Sequence, residues 1–316
     1  MGELSTEISK VVSLLLAESM GAGIRRGMQY VGPLFRPPSE AHSLIVQATL
    51  GCSWNRCTYC DMYRSKSFKI RDVDEVLRDV ASLSTVVRAS TRRVFVADGD
   101  ALVMPMETWR PLLAGLHQLL PNLERVSAYA MARNILEKGP SALKELRSGG
   151  LSLLYVGPES GDDLTLRRIA KGDDAQAHID SAIVSREAGI DLSVIALLGI
   201  GRERAQEHAE ATGALISAME PRYFSALTVT VVPGTPLAKD AGRGRFQVPP
   251  VIELLAELRT MLRFTDVRDT SFRTNHASNY LPLAGQLPAD KGKLLALLDA
   301  ALAGEIPLKP EWMRAL

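Results

Sequence analysis

"SLIVQATLGCSWNRCTYC" (residues 43–60) sets an apolar run directly against a loop that holds Cys52, Cys57 and Cys60, all three cysteines of the chain. The run "SLIVQAT" (43–49) has the aliphatic and β-branched content of a strand. The same order of apolar run, polar or glycine-rich loop and helical period then returns along the chain. After the cysteines a helix is expected from near Asp72. "RVFVA" (93–97) precedes "DGD" and a helix carrying Trp109, Leu112, Leu113 and Leu116. "ERVSAYA" (124–130) leads to a helix near 140–148, and "LSLLYVG" (151–157) to "PESGDD" and helical sequence over 162–188. "DLSVIALLGIG" (191–201) precedes a helix near 203–218. "RYFSALTVTVV" (222–232) precedes "PGTPL" and a helix at 250–264.

Six β–loop–α units follow from this reading. Their strands are apolar on both faces, which favours a parallel sheet covered by helices. Such units form either an open doubly wound sheet or a partial barrel. The informative residues (the cysteines, "DGD", "PESG", "GIG" and "PGTP") fall at strand exits, which a barrel mouth gathers around one cavity. The fold expected is therefore α/β, a partial (β/α)6 TIM-like barrel over 43–240. Extensions flank it at 1–42 (a helix and a Pro-rich lead-in) and 241–316 (the last barrel helix and a cap).

Composition narrows the function. The chain has 316 residues, 46% hydrophobic and 23% charged, with a formal net charge of +1. That is a globular profile with no broad nucleic-acid footprint. "VVSLLLA" (11–17) is too short for a membrane span and follows Glu3 and Glu7 rather than a basic region, so an amphipathic helix with Ile8, Val11, Val12 and Leu15 on one face is expected. Three clustered cysteines do not form a disulfide framework, and a cytoplasmic location is expected.

Three thiolates can hold a zinc ion or three irons of a [4Fe–4S] cluster, leaving one metal position open for chemistry. None of the histidines (His42, His117, His178, His208, His276) lies in the loop.

A cysteine loop directly after the first strand, with Tyr59 just before Cys60, resembles the radical S-adenosylmethionine (SAM) superfamily. The usual spacing there is C-x3-C-x2-C, and this chain has C-x4-C-x2-C, one residue more. The resemblance runs through about residues 43–240 and implies that Cys52, Cys57 and Cys60 ligate the cluster. "ADGDAL" (97–102) stands where the family's Gly-Gly-Glu-like segment contacts the SAM amino group, through Asp98, Gly99 and Asp100. "GPESGDDLTLRRIAKG" (157–172) is similar to the fourth strand–helix segment of the branch containing the anaerobic coproporphyrinogen oxidases and methylthiotransferases. That likeness implies Glu159 on the SAM ribose and Lys171, or Arg168, on its carboxylate. "LLGIG" (197–201), with Leu198 and Gly199, matches the segment that receives adenine, and Ser127 is a further cavity candidate.

The resemblance implies reductive cleavage of SAM to a 5′-deoxyadenosyl radical that abstracts hydrogen from a small, anionic metabolite, with an electron from a donor such as flavodoxin or ferredoxin. No further cysteine is present for an auxiliary cluster, and 42 residues before the barrel are few for a cobalamin domain. Candidate catalytic residues are Tyr63, His276 and Tyr280, with Tyr30 as another tyrosine that could quench a radical. Candidate substrate residues are Arg36, Arg64, Arg273, Asn275, His276 and Asn279. The alternatives are a porphyrinogen-type oxidative decarboxylase, drawn from the "PESG" likeness, and a non-enzymatic metal-binding or electron-transfer protein.

Overall fold

A computed structural model describes residues 27–314. The N-terminal helix expected around residues 8–15 lies outside them. The first strand, β1 (Leu44–Gln47), is followed by a two-stranded ribbon of β2 (Thr49–Leu50) and β3 (Lys69–Ile70), which frames the cysteine loop between them. Helix α1 (Val73–Ala81) starts at Asp72, whose carboxylate accepts from the Glu75 N–H at 3.0 Å, the standard N-cap contact. A short α2 (Thr85–Ser90) leads into β4 (Arg93–Ala97). Then come α3 (Met106–Leu119), β5 (Arg125–Tyr129), α4 (Ala132–Ser148) and β6 (Leu151–Glu159). The chain continues through α5 (Asp163–Arg168), α6 (Ala175–Glu187), β7 (Asp191–Leu198), α7 (Ala205–Met219) and β8 (Tyr223–Thr228). It closes with α8 (Pro236–Gly242), α9 (Val251–Phe264), β9 (Thr270–Arg273), β10 (Ala284–Leu287) and α10 (Lys291–Leu302).

The main sheet has the order β1-β4-β5-β6-β7-β8-β9-β10, parallel through β9, with β10 antiparallel at the end. Each new strand joins on the same side of the last. A doubly wound sheet would reverse direction at a switch point. Without a reversal, right-handed crossovers place the helices on one face and curl the sheet into a partial barrel. The six expected strands are β1, β4, β5, β6, β7 and β8. The seventh parallel strand β9 and the antiparallel β10 lie in the sequence read as a cap.

Side-chain alternation divides the molecule into an outer and an inner layer. Val46, Val94, Val96, Val126, Leu154, Val194, Ala196, Phe224 and Phe272 face the helices and join Trp109, Leu112, Leu116, Leu258 and Met261 in the main core. Each large side chain fully buried there contributes about 1.5–3 kcal/mol. The alternate residues Ile45, Phe95, Leu153, Tyr129 and Tyr155 form the inner cluster.

The Pro-rich lead-in supplies part of the inner layer as well. Leu34 joins that cluster, Phe35 meets the Tyr63 ring edge-on at 5.6 Å, and Ser39 shares a 2.8 Å hydrogen bond with the Tyr155 hydroxyl. Glu40 is fully buried. It accepts from Arg125 at 2.7 Å, Ser127 at 3.0 Å and Tyr155 at 2.7 Å, and also from Ser43. Burial raises the Glu40 carboxyl, but the hydrogen bonds from Ser43 and Tyr155 and the Arg125 charge outweigh it and hold it below its ordinary value. These contacts place Ser39 and Glu40 at the barrel floor, while Phe35, against Tyr63, and the Pro33 carbonyl, which accepts from Lys66 Nζ at 2.7 Å, reach the cysteine loop at the mouth. Among the described residues no helix is long and apolar enough to cross a membrane.

Candidate functional site

The cysteine loop leaves β2 at the barrel mouth and is fixed by groups from three directions. Asp98, fully buried just after β4, accepts through Oδ2 from Gln47 Nε2 at 3.1 Å, from the Gly51 N–H at 3.0 Å and from Lys66 Nζ at 2.9 Å. The lysine lies within the loop and compensates the buried carboxylate. Arg64 folds back to donate to the carbonyls of Cys57 at 2.6 Å and Cys60 at 2.7 Å. Gly99 is where backbone meets loop most closely. A Cβ there would lie 2.5 Å from the Tyr63 ring and 3.0 Å from the Cys52 Cβ, so only glycine fits this contact.

Among the described residues, no three His, Cys, Asp or Glu side chains converge on one point as a single ion requires. Three thiolates on one zinc, each bonded at about 2.3 Å, would lie within about 4 Å of one another. The irons of a cube take one thiolate each, and that suits three cysteines held around a loop. Burial raises all three thiols, Cys60 to about 11, against the opposing charge of Lys171 near Cys57 and Cys60. Metal ligation would therefore displace protons from these thiols.

Strand β6 delivers the second part of the site. Its pairing with β7 slips between Val156 and Glu159 at the Gly157–Pro158 dipeptide, and Glu159 takes a left-handed backbone with φ of 69°. A non-glycine residue there costs about 1–2 kcal/mol, and such strain gathers where a side chain must be aimed. The Glu159 carboxylate accepts from Lys171 Nζ at 3.2 Å. Burial works against the Lys171 ammonium, but Glu159, Cys57 and Cys60 outweigh it, so the amine is held charged above its ordinary range. Tyr59 lies against the same group, its phenol raised by burial first and then by Glu159 and Cys57.

Asp100 is the third part. Its Oδ2 accepts from Asn134 Nδ2 at 2.5 Å and from the Ser53 hydroxyl, and burial pushes its carboxyl up to about 6. Asp98 Oδ1, Asp100 Oδ1 and the Tyr63 hydroxyl are buried without a protein partner. Two orphaned acceptor oxygens beside a cysteine loop suit an ammonium group. Tyr63 is 4% exposed, and its phenol is raised by burial. Facing them is an apolar group of Leu166, Ile169, Leu197, Ile200, Val229, Leu237 and Phe246, which Tyr59 joins.

The structure thus brings Cys52, Cys57, Cys60, Tyr63, Asp98, Gly99, Asp100, Glu159 and Lys171 to one end of the barrel. Other expected residues lie elsewhere. Ser127 faces inward but holds Glu40 at the floor. Arg168 pairs with Glu203 at 2.5 Å, while Lys171 turns to Glu159. Leu198 joins the helix-side core, and its neighbour Leu197 faces the mouth. The Gly199 N–H donates to Glu257 at 2.8 Å. Arg36 is exposed at the start of β1, 3.5 Å from the Ser43 carbonyl. Tyr30 donates to the Ile45 carbonyl at 2.8 Å.

Asn279 donates to the carbonyls of Ala226 at 2.8 Å and Thr274 at 3.0 Å and accepts from the Thr228 hydroxyl at 2.9 Å. It satisfies loop backbone, the ordinary work of a buried amide. His276 bonds to Ser278 at 2.9 Å, and burial lowers its imidazole. Tyr280 donates to Glu311 at 2.6 Å and lies under the Arg314 guanidinium. Asn275 is exposed in the same loop. Arg273 is exposed on the inner face of β9, paired in register with Ser225 of β8.

Sequence reasoning missed a buried line from Ser160 through His208 (2.7 Å) to Glu257 (3.3 Å). Its order resembles a hydrolytic triad, but Ser160 and His208 are fully buried and Ser160 Oγ also accepts from the Asp162 N–H. Glu257 accepts from the Gly199 N–H, while His208 Nε2 approaches Glu257 to 3.3 Å without a hydrogen bond. Ser160, His208 and Glu257 come from three separate segments, so no spacing in the sequence announces the line.

A barrel of six parallel β/α units carrying three cysteines at its mouth defines a class, and the comparisons with known proteins specify it. The family described as "Radical SAM superfamily" matches residues 46–212, more than half of the chain, and the chain belongs to that superfamily. Its members bind a [4Fe–4S] cluster and SAM, and the chain is an enzyme of this kind.

A curated relative, heme chaperone HemW of Bacillus subtilis (strain 168), is 21% identical over 200 residues, covering 61% of this chain and 52% of the relative. The chain thus spans about half the length of that relative. Among solved structures, the radical SAM methyltransferase TsrM of Kitasatospora setae with cobalamin and [4Fe–4S] cluster bound has a TM-score of 0.53 and 18% identity. That match covers 72% of this chain and 39% of TsrM. The TsrM structure with tryptophan and a SAM analogue also gives 0.53, at 17% identity, covering 78% and 46%. At such identities the likeness is one of fold.

Proposed function

We propose that Cys52, Cys57 and Cys60 hold the cluster and that the groups around them orient SAM for hydrogen abstraction from a small anionic metabolite. The observation that carries this reading is the meeting of the cysteine loop with Lys171, Glu159 and the orphaned oxygens of Asp98 and Asp100. Lys171 would take the SAM carboxylate, and Asp98 or Asp100 its ammonium. Glu159 would take ribose hydroxyls, and the apolar group around Leu197 and Ile200 the adenine. When bound, the cluster and SAM supply a one-electron cleavage that yields a 5′-deoxyadenosyl radical. The chain's own work is orientation and exclusion of water. Tyr63 stands inside this group with a free hydroxyl, the best placed of the candidate catalytic tyrosines.

The substrate would enter on the β7–β9 side, because Leu34, Ser39 and Glu40 fill the floor below β1–β6. Ile195, Ser225 and Leu227 are part-exposed there, and Arg273 stands beside Ser225 for an anionic group. Around the loop, exposed Arg56, Arg64 and Lys69 suit an acidic one-electron donor such as flavodoxin or ferredoxin. A cytoplasmic location fits this chemistry.

The test is anaerobic reconstitution. The protein should take up about four irons, bind SAM with a change in the cluster's paramagnetic resonance signal, and form 5′-deoxyadenosine under reduction. Cys57→Ala should lose all three properties, and its retaining them would falsify the ligand assignment. A panel of acidic metabolites that never raises 5′-deoxyadenosine above the substrate-free rate would remove the anionic substrate. A second reading, porphyrinogen-type decarboxylation, rests on the likeness of "GPESGDDLTLRRIAKG" (157–172) to the anaerobic oxidase branch. No product from coproporphyrinogen III would dismiss it.

A further inference from the structure

The loop carries four residues between Cys52 and Cys57, and each has a distinct contact. Ser53 bonds to Asp100. Asn55 turns the chain with a left-handed φ of 47°, and its side chain donates to the Tyr63 carbonyl at 3.0 Å. Arg56 and Trp54 stack, guanidinium to ring, at 5.0 Å. Trp54 alone reaches across to the α5–α6 turn.

The Trp54 contact is built from several directions. Its Nε1–H donates to the Ala170 carbonyl at 2.8 Å. The Arg133 guanidinium lies 4.2 Å from its ring centre and is itself held by Asp173 at 2.8 Å. Gly172, with φ of 96°, lets the ring sit on its α-carbon, since a Cβ there would lie 2.7 Å from Trp54 Cζ2. The Thr58 N–H donates to the Ile169 carbonyl at 2.9 Å. The loop therefore grips two successive carbonyls, at 169 and 170, from positions on either side of Cys57. Lys171 is the next residue, and the left-handed turn at Ala170 (φ of 53°) brings it to Glu159 and the cysteines.

We propose that Trp54 is a positioning residue: the lengthened cysteine loop uses it to set Lys171 at a fixed place relative to Cys57, and hence relative to the SAM carboxylate. This rests on the assignment of Lys171 to that carboxylate. Trp54 touches no reacting group itself. Its indole N–H fixes the carbonyl one residue before the lysine, and its ring fills the space over Gly172.

The experiment is a double-mutant cycle read by SAM affinity, with no turnover involved. Wild type, Trp54→Phe, Lys171→Met and the double variant are reconstituted. Iron and sulfide are counted, and SAM binding to the oxidised cluster, which has no electron with which to cleave it, is measured by equilibrium dialysis. Trp54→Phe keeps a ring over Gly172 and loses the N–H donor. It should hold its full iron content and raise the SAM Kd about 3- to 10-fold, the range expected for one hydrogen bond. In the Lys171→Met background the same change should alter Kd by less than about 2-fold, because its route to SAM is gone.

An equal factor in both backgrounds, no change in either, or loss of iron in Trp54→Phe overturns the proposal. If Lys171→Met binds SAM as tightly as wild type with a full cluster, the Lys171 assignment falls and this proposal with it. A Lys171 effect without a Trp54 effect removes the positioning role alone.

Discussion

Arg64 is exposed, yet its guanidinium reaches two carbonyls that belong to the ligand-bearing residues themselves, Cys57 and Cys60. Those bonds fix the backbone of the x2 turn, so they govern how the two thiols are presented. Arg64→Ala should keep the fold but lose iron to a chelator several-fold faster than wild type, since each charge-assisted bond contributes about 1.5–3 kcal/mol when well formed. Arg64→Lys should recover part of the difference, because an ammonium cannot span both carbonyls with a fork. An unchanged rate in Arg64→Ala would assign the arginine to the surface. The sequence places Arg64 among the candidate substrate residues, and Lys66 lies two positions further on. Their partners are a backbone carbonyl pair and a buried aspartate, Asp98, that arrives from another strand, and neither leaves a mark on local spacing. By contrast the cysteines stand out because the chain has three, all in one loop, and Glu159 and Lys171 through the family likeness of "GPESGDDLTLRRIAKG"; the structure brings all five to one end of the barrel. The left-handed φ of Glu159 was not legible, since glutamate carries no signal for it.

Elements were legible where their period is long and clean. β4, β5, β6 and α9 lie within a residue or two of the expected limits. Breaks were harder. The helical sequence over 162–188 is two helices parted at Ala170–Gly172, and α4 is interrupted at Gly139, just before Pro140. Helix α6 also hides a titrating group. His178 is fully buried with neither ring nitrogen hydrogen-bonded, and burial lowers its imidazole to about 3.

The sign of its linkage follows from that direction. Below the unfolded value near 6.5 the unfolded chain binds a proton that the folded chain refuses until about 3, so stability falls as pH drops through that window. Between pH 7 and pH 5 this one group removes about 2 kcal/mol. His178→Leu should match wild type within about 1 kcal/mol at pH 7, since no hydrogen bond is lost, and should lose less stability on going to pH 5. Equal losses in urea unfolding of the two proteins would show that His178 does not resist protonation.

At the scale of the molecule the partial barrel has separate closures at its two ends. Its mouth is closed by the cysteine loop and the strand exits, and its floor by the lead-in through Glu40. The strand order made the barrel readable from the repeat, but the floor was not readable. Glu40 pairs with Arg125, Ser127 and Tyr155, more than 80 positions away, and its only local partner is Ser43. Arg36 of the lead-in is a candidate substrate residue by sequence, on a segment outside the β/α repeat.

The placement predicts that floor and mouth can be separated by mutation. Glu40→Ala leaves Arg125 without its carboxylate and removes the acceptor of three hydroxyls, those of Ser43, Ser127 and Tyr155. Breaking such a pair costs about 3–5 kcal/mol when buried, and Arg125 is partly exposed, so the lower figure applies. At about 2–3 °C per kcal/mol for a chain of this size, Tm should fall roughly 6–9 °C. Iron content and SAM affinity of the folded variant should stay within about 2-fold of wild type, because sites without shared partners behave almost independently. A variant that keeps its Tm would deny Glu40 its place in the floor. One whose Tm falls as predicted but which also loses SAM binding would show that the Glu40 network is coupled to the mouth, with the Phe35–Tyr63 contact as the route.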